Sequence, residues 1–218
     1  MHLNLREEVL KTSLLAEESG LCHHGGGNFS MIDRKSGVVA ITPHGASRKE
    51  LCPKDIILVD LDGCIVEKSD GMRPTSEVTI HLTIYNKLSM VGAVCHTHAE
   101  FASVFAGLST AIKPVLTESM LYGVKCPVAP FATPGTQDLA DNIANTLYQE
   151  DTQAVLMEKH GLLTVGNNIY DAYLKSMYVE EVAKAYYRMA NLVGLEKVQQ
   201  CLKDEEFDYM MNELGIKA

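Results

Sequence analysis

The stretch GAVCHTHAEF, Gly92 to Phe101, contains a short apolar run that leads directly into His-Thr-His. The apolar run predicts a buried β-strand. Because side chains alternate between the two faces of a strand, His96 and His98 are expected to point the same way, with Cα atoms about 6.5–7 Å apart. Two imidazoles at this spacing can bind one divalent metal ion. The alternative is a hydrogen-bonded strand end that holds no metal.

The composition favours one globular domain and excludes several functional classes. The chain has 218 residues, 46% hydrophobic and 22% charged, so residues 1–218 are expected to form a single domain. A net charge of −9 argues against general nucleic-acid binding, which needs a basic surface. No apolar run is long enough to cross a membrane, and the N-terminal segment lacks the apolar core of a signal peptide. We therefore expect a cytoplasmic protein whose six scattered cysteines are reduced and mostly buried.

The order of the predicted elements indicates an α/β fold. Hydrophobic periodicity and capping signals predict helices over about 4–18, from Thr75 or Ser76 to Leu88, over 100–108, over 135–149 and over 169–193. Two hairpins are predicted, with turns at Asp33 to Gly37 and at Asp62-Gly63. Hairpins mixed with helices favour a mixed or largely antiparallel sheet flanked by helices.

A third imidazole is available at His160, at the predicted tip of the two short strands in AVLMEKHGLLTVG. Strand ends that are distant in sequence can meet in a packed sheet, so His160 can join His96 and His98. Three histidines with one open coordination position are typical of catalytic zinc, whereas structural zinc sites usually close with cysteines. By itself, a histidine before glycine is also compatible with a polar turn.

Two further segments are candidate anion sites. RPTSE, Arg73 to Glu77, places two hydroxyl groups at a predicted helix N-terminus, where backbone N–H groups favour an anion. Ordinary helix capping is the alternative. GGGNFS, which includes Asn28, offers glycine N–H groups that can hold a phosphate, or it forms a flexible turn. Neither segment matches a phosphate-binding motif that is specific by itself.

Taken in order, Gly-Gly-Asn, Thr-Pro-x-Gly, Pro-Thr-Ser-Glu, His-Thr-His and His-Gly resemble the class II aldolase and epimerase family over nearly the whole chain. This family contains sugar-phosphate aldolases, 4-epimerases and dehydratases, with the adducin head domain as a noncatalytic relative. The resemblance implies a single-domain three-layer α/β/α sandwich around a central, mostly antiparallel mixed sheet. It also implies one Zn²⁺ per subunit on His96, His98 and His160, with Glu77 as the catalytic acid/base.

The resemblance further implies a phosphate site, formed by Asn28, His44, Gly45, Thr75 and Ser76. His44 stands where the fuculose enzyme has threonine, which leaves the identity of the sugar open. Tyr122 is the candidate for the mobile tyrosine that the aldolases offer from a neighbouring subunit, and packing in the core is its alternative. A homotetramer with active sites near the subunit interfaces is implied as well.

The implied activity is the reversible, zinc-dependent cleavage of a ketose 1-phosphate, such as L-fuculose 1-phosphate, to dihydroxyacetone phosphate and an aldehyde. Glu77 favours this lyase chemistry, because the epimerases of the family have aspartate at that position. The partner is then a small phosphorylated sugar, with no nucleic acid and no membrane. A sugar-phosphate 4-epimerase, a dehydratase and a noncatalytic adducin-like scaffold are the alternatives.

Overall fold

The computed structural model describes residues 2–123, 125–200 and 204–213, and one eight-stranded sheet organises them. In chain order the strands are β1 (Asn28–Asp33), β2 (Val38–Ile41), β3 (Ile57–Val59), β4 (Ile65–Glu67), β5 (Ala93–Thr97), β6 (Val128–Ala129), β7 (Ala154–Met157) and β8 (Gly161–Gly166). Across the sheet they run β4-β3-β2-β1-β5-β8-β7-β6. The β6–β7 pair is parallel and the other pairs are antiparallel. The predicted mixed, mostly antiparallel sheet is confirmed.

Helices cover both faces of this sheet and complete the three-layer sandwich. The helices are α1 (Leu3–Glu18), α2 (Val78–Lys87), α3 (Glu100–Gly107), α4 (Gln137–Gln149), α5 (Ile169–Val193), α6 (Leu195–Gln200) and α7 (Asp204–Glu213). One apolar core lies between the sheet and helices α1, α3 and α5. A second core lies between the other face and helices α2 and α4. Because alternate residues of β2, β5 and β7 enter the two cores, these strands are apolar on both faces.

The two predicted hairpins are present and owe their turns to aspartate and glycine. Between β1 and β2, the Gly37 N–H donates to the Asp33 carbonyl at 2.8 Å, and the Asp33 carboxylate accepts from the Ser36 hydroxyl at 2.8 Å. Between β3 and β4, Gly63 adopts φ 86°, a left-handed conformation that favours glycine. The confirmed hairpins depend on local chemistry that is visible in the sequence.

Helix α2 begins later than predicted, and this changes the role of the two hydroxyl residues before it. Glu77 is the N-cap residue, without a side-chain cap, so the prediction that Thr75 or Ser76 caps this helix is wrong. The preceding segment is held to the end of β2 instead, since the Thr75 N–H donates to the Thr42 carbonyl at 3.2 Å. The Thr75 hydroxyl oxygen accepts from the Glu77 N–H at 3.3 Å.

Of the cysteines in the described part of the chain, all are free. Cys22, Cys95 and Cys126 are buried, Cys52 is partly exposed and Cys64 is exposed. Cys201 lies outside the described residues. Among those residues, no helix has both the length and the apolar character needed to cross a membrane.

Candidate metal centre and active site

Three histidines converge where β5 ends and β8 begins. His96 lies on β5 and His98 immediately after it, while His160 ends the turn that leads into β8. Strands β5 and β8 are neighbours, with Thr97 opposite Leu162, so the sheet brings the two chain segments together. One nitrogen from each ring lies within 4.8 Å of the other two. The geometry expected from the His-x-His spacing is therefore present.

The hydrogen bonds around His96 prepare it to bind a metal. Its Nδ1 donates to the Leu162 carbonyl at 2.9 Å, which leaves the Nε2 lone pair for a ligand. That Nε2 lies 3.1 Å from Nε2 of His98. Two nitrogens bound tetrahedrally to one zinc ion at about 2.0–2.1 Å are roughly 3.3 Å apart. The residues present fit a divalent metal ion, and the imidazole donor set fits zinc.

Burial keeps the imidazoles of His96 and His98 in the neutral form that metal binding requires. His96 is 1% exposed, and its burial lowers its pKa to about 4 although the Glu77 carboxylate opposes this shift. Burial also lowers the pKa of His98. A neutral imidazole presents a lone pair at neutral pH, whereas a protonated one cannot bind a metal.

Glu77 lies directly beside the three histidines. Its Oε2 is 3.3 Å from Nε2 of His96, and its Oε1 is 3.5 Å from Nε2 of His160. Burial alone raises the pKa of Glu77, but His96 and a hydrogen bond from Asn28 lower it more, so the pKa lies below its ordinary value. The carboxylate is ionised at neutral pH, as a general base must be.

Asn28 supports this carboxylate, a role that the sequence analysis missed. It lies opposite His96 in the β1–β5 register, and its Nδ2 donates to Glu77 Oε2 at 2.8 Å. The amide nitrogen carries two hydrogens, so one remains for a further acceptor. The predicted phosphate contact of Asn28 stays a prediction.

A cavity of about 260 Å³ joins the histidine cluster to the predicted phosphate site. Its lining includes Glu77, the glycine segment 25–27 and two histidines of the cluster, His98 and His160. It also includes all five predicted phosphate residues: Asn28, His44, Gly45, Thr75 and Ser76. His44 and Ser76 are exposed, while Thr75 is buried. One concave site thus combines metal-binding groups, a carboxylate and several hydrogen-bond donors.

Arg48 holds the glycine segment 25–27 in place through hydrogen bonds to its backbone. No motif in the sequence had indicated a role for Arg48. Its side chain is 4% exposed, and Nη2 donates to the carbonyls of Gly26 and Gly27 at 2.6 and 2.8 Å. Gly27 adopts φ 74°, and a Cβ there would lie 2.5 Å from the His96 carbonyl oxygen. Only glycine fits this position, which keeps the segment against the metal-binding strand.

Tyr122 lies apart from this site. Its side chain is 0% exposed and packs in the core shared with α1, α3 and α5. Burial raises the pKa of its phenol far above the ordinary value. In this position the hydroxyl is shielded from solvent, and Tyr122 is not among the residues that line the cavity. This placement argues against the predicted catalytic role and corresponds to the alternative, packing in the core.

We expect Gly161→Ala to disturb the metal centre. A Cβ at Gly161 would lie 2.6 Å from the Thr97 carbonyl oxygen and 3.1 Å from the His98 ring. Relieving such contacts should lower the free energy of unfolding by roughly 1–3 kcal/mol and reduce metal occupancy. Thermal denaturation and elemental analysis measure these effects. Gly107→Ala is the control, because a Cβ there meets nothing within 4 Å. Equal stability and metal content in both variants would contradict this expectation.

Fold and site together combine a three-layer sandwich with a cluster of three histidines and a carboxylate beside one cavity, an arrangement typical of metalloenzymes. The sequence pattern of the family described as "Class II Aldolase and Adducin N-terminal domain" matches residues 7–187. The chain belongs to this family.

Relatives of the chain include aldolases and a 4-epimerase. A "5-deoxy-D-ribulose 1-phosphate aldolase" from Bacillus thuringiensis serovar kurstaki is 34% identical over 187 residues, covering 86% of each chain. An "L-ribulose-5-phosphate 4-epimerase UlaF" from Salmonella paratyphi C is 30% identical over 190 residues, covering 83% of this chain and 82% of the relative. A solved structure of "L-fuculose 1-phosphate aldolase" superposes with a TM-score of 0.88 at 31% identity, covering 98% of this chain and 97% of the other.

Proposed function

We propose that this chain is a zinc-dependent aldolase that reversibly cleaves a ketose 1-phosphate, such as L-fuculose 1-phosphate, to dihydroxyacetone phosphate and an aldehyde. The observation that carries the proposal is the shared cavity, whose lining includes Glu77, His98 and His160 together with the glycine segment and the Thr75 and Ser76 hydroxyls. The names of the aldolase relatives support it. Residues 1–218 then act as one class II aldolase-like domain, in the cytoplasm.

The chemistry follows from the charge states of the site residues. One divalent ion per subunit, held by His96, His98 and His160, would supply a Lewis acid for the substrate carbonyl. In the synthetic direction, the Glu77 carboxylate takes a proton from the hydroxymethyl carbon of dihydroxyacetone phosphate. In cleavage, the same group returns a proton to that carbon. Burial of Glu77 and its hydrogen bond from Asn28 hold the carboxylate in one orientation for both directions.

The phosphate group is held by hydrogen-bond donors at one end of the cavity. The Thr75 oxygen already accepts from the Glu77 N–H, so its own proton remains for an anion. Ser76 and His44 add donors at the exposed rim of the cavity. A phosphate bound here fixes the substrate relative to Glu77, which is a contribution of orientation rather than of bond-making.

An epimerase or dehydratase is the second candidate, since an epimerase relative is 30% identical. Such an enzyme would use the same metal on a differently placed carbon. The noncatalytic scaffold is disfavoured, because a scaffold has no need for a buried carboxylate beside three metal-binding imidazoles.

A product assay separates these functions. The purified protein is incubated with a panel of ketose 1-phosphates, and dihydroxyacetone phosphate is measured, with L-ribulose 5-phosphate as the control substrate. We expect dihydroxyacetone phosphate from at least one ketose 1-phosphate. Epimerisation of L-ribulose 5-phosphate without any dihydroxyacetone phosphate would favour the epimerase. A protein that purifies without metal and turns over none of these substrates would favour the scaffold.

We expect the protein to form a homotetramer with active sites near the subunit interfaces. Of the tyrosines on α5, Tyr173 and Tyr186 are buried in the core, but Tyr170 and Tyr187 are 53% and 41% exposed. Aromatic side chains on a surface are favoured at interfaces. Light scattering at micromolar concentration measures the mass in solution, and a monomeric mass would contradict the expectation.

A further inference from the structure

A chain of buried hydrogen bonds leads from Glu77 away from the cavity. Beyond the Asn28–Glu77 bond, Asn28 Oδ1 lies 2.5 Å from His81 Nε2. Ser30 Oγ then lies 2.6 Å from His81 Nδ1 and 2.7 Å from the Tyr85 hydroxyl. All of these side chains are at most 7% exposed. A buried polar network of this kind is costly unless every member has a partner.

The secondary structure explains why these residues meet. Glu77, His81 and Tyr85 are spaced by four residues, so they form one stripe along α2 and its N-cap. Asn28 and Ser30 are alternate residues of β1 and therefore point to the same face of the sheet. The stripe lies over this face, and the two sets of side chains interleave.

The direction of every hydrogen bond follows from the carboxylate. An ionised Glu77 only accepts, so the Asn28 amide must turn its nitrogen toward Glu77 and its oxygen toward His81. Nε2 of His81 must then carry the proton, which makes Nδ1 an acceptor for the Ser30 hydroxyl. The Ser30 oxygen in turn accepts from Tyr85. Each donor in the chain points toward the carboxylate.

Burial fixes the charge states that this direction requires. His81 is fully buried, and the burial lowers its pKa to about 3. The imidazole is therefore neutral and carries a single N–H. Burial raises the pKa of Tyr85 far above its ordinary value, so the phenol keeps its proton and acts as a donor.

We propose that His81 is a positioning residue for Glu77, acting through Asn28, and this proposal rests on the acid/base role of Glu77 proposed above. The Nε2–H of His81 binds the Asn28 oxygen and so reinforces the orientation in which the amide nitrogen faces the carboxylate. With the amide reversed, its oxygen would meet the carboxylate oxygen, and the hydrogen bond would be replaced by repulsion. Ser30 and Tyr85 favour this tautomer of His81 and therefore act on Glu77 only indirectly, through His81 and Asn28.

The tautomer provides a test that does not depend on activity. In protein labelled with ¹⁵N-histidine, the two ring nitrogens of His81 have chemical shifts that differ between the Nε2–H and Nδ1–H forms. We expect the Nε2–H form, assigned by the loss of its signals in His81→Phe. The Nδ1–H form would overturn the proposal, because Asn28 could not then hold its amide nitrogen toward Glu77.

The kinetic test compares two matched serine variants. Ser30 and Ser176 are both 0% exposed. Ser30 forms a hydrogen bond with the Tyr85 hydroxyl, and Ser176 forms one with the Thr164 hydroxyl at 2.7 Å on the other face of the sheet. We expect Ser30→Ala to lower kcat by roughly 3- to 30-fold, the worth of a lost buried hydrogen bond, with KM and metal content unchanged. Ser176→Ala should leave kcat unchanged. Equal kcat values in the two variants would overturn the proposal.

A double-mutant cycle separates positioning from a general packing role. His81→Phe is expected to lower kcat by roughly 10- to 100-fold, because Asn28 loses the partner that orients its amide. In an Asn28→Ala background the same substitution should have almost no further effect on kcat. Additive losses in the cycle would show that His81 does not act through Asn28. Where His81→Phe fails to fold, Tyr85→Phe replaces it in the cycle.

These results remain distinguishable from failure of the proposed function. If Glu77→Gln retains full turnover while His81 has the Nε2–H tautomer, the acid/base role is wrong and the hydrogen-bond chain still stands as a structure. If Glu77→Gln is inactive while Ser30→Ala behaves like Ser176→Ala, the acid/base role stands and the positioning role of His81 is wrong.

Discussion

His96→Ala should abolish both metal binding and turnover. His96 is 1% exposed and holds its Nε2 toward the other two imidazoles through the bond from Nδ1 to the Leu162 carbonyl. Without this ring only two imidazoles remain, and the metal content should fall from about one ion per chain to near zero. Turnover should fall by roughly 10³-fold or more, since a Lewis acid at the carbonyl contributes several kcal/mol. Elemental analysis and the aldolase assay measure the two effects.

His81→Ala is the control for metal content, because it removes another fully buried imidazole that is not part of the histidine cluster. We expect this control to keep its metal, whatever its turnover. Circular dichroism should show that both variants retain their secondary structure. Zinc retained at full occupancy in His96→Ala would contradict the assignment of the metal centre.

The features that depended on local chemistry were accessible from the sequence. The hairpins depend on residues such as Asp33 and Gly63, whose turn preferences act within a few residues. The His-x-His geometry follows from the alternation of a single strand. The convergence of His160 with this pair was predicted from ordered motifs and from resemblance, because it requires β8 to lie beside β5, which no local pattern determines.

The features that depend on strand order and on the packing of helices against the sheet could not be predicted from the sequence. Asn28 supports Glu77 only because β1 pairs with β5 and α2 packs over β1, which places residues 49 apart in sequence in contact. The four-residue spacing of Glu77, His81 and Tyr85 is visible in the sequence. The same spacing is expected of any buried helix face that mixes polar and apolar residues, so it does not by itself predict a hydrogen-bonded network. Arg48 had no motif at all, since its partners are backbone carbonyls.

The start of α2 shows how a nearby strand can override a local signal. Thr-Ser before a helix predicts capping, and Thr75 and Ser76 have the right chemistry for it. The Thr75 backbone instead bonds to Thr42 beyond the end of β2, and the helix begins after Glu77. This displacement has a functional consequence. It frees the two hydroxyls to line the cavity and places the carboxylate at the helix end that faces the histidines.

Glu77→Gln should retain the metal and the phosphate ligand but lower turnover by roughly 10²- to 10⁴-fold, the usual contribution of a general acid/base. The substitution keeps the size of the side chain and an oxygen that can accept the Asn28 hydrogen bond, but an amide cannot take a proton from carbon. Exchange of the hydroxymethyl hydrogens of dihydroxyacetone phosphate in deuterated water isolates this step, because it needs no aldehyde. Glu180→Gln is the control, since that carboxylate is occupied by the backbone N–H groups of Phe101 and Ala102 at 2.8 Å. We expect the control to exchange normally. Normal exchange in Glu77→Gln would instead show that the buried carboxylate only supports the histidine cluster.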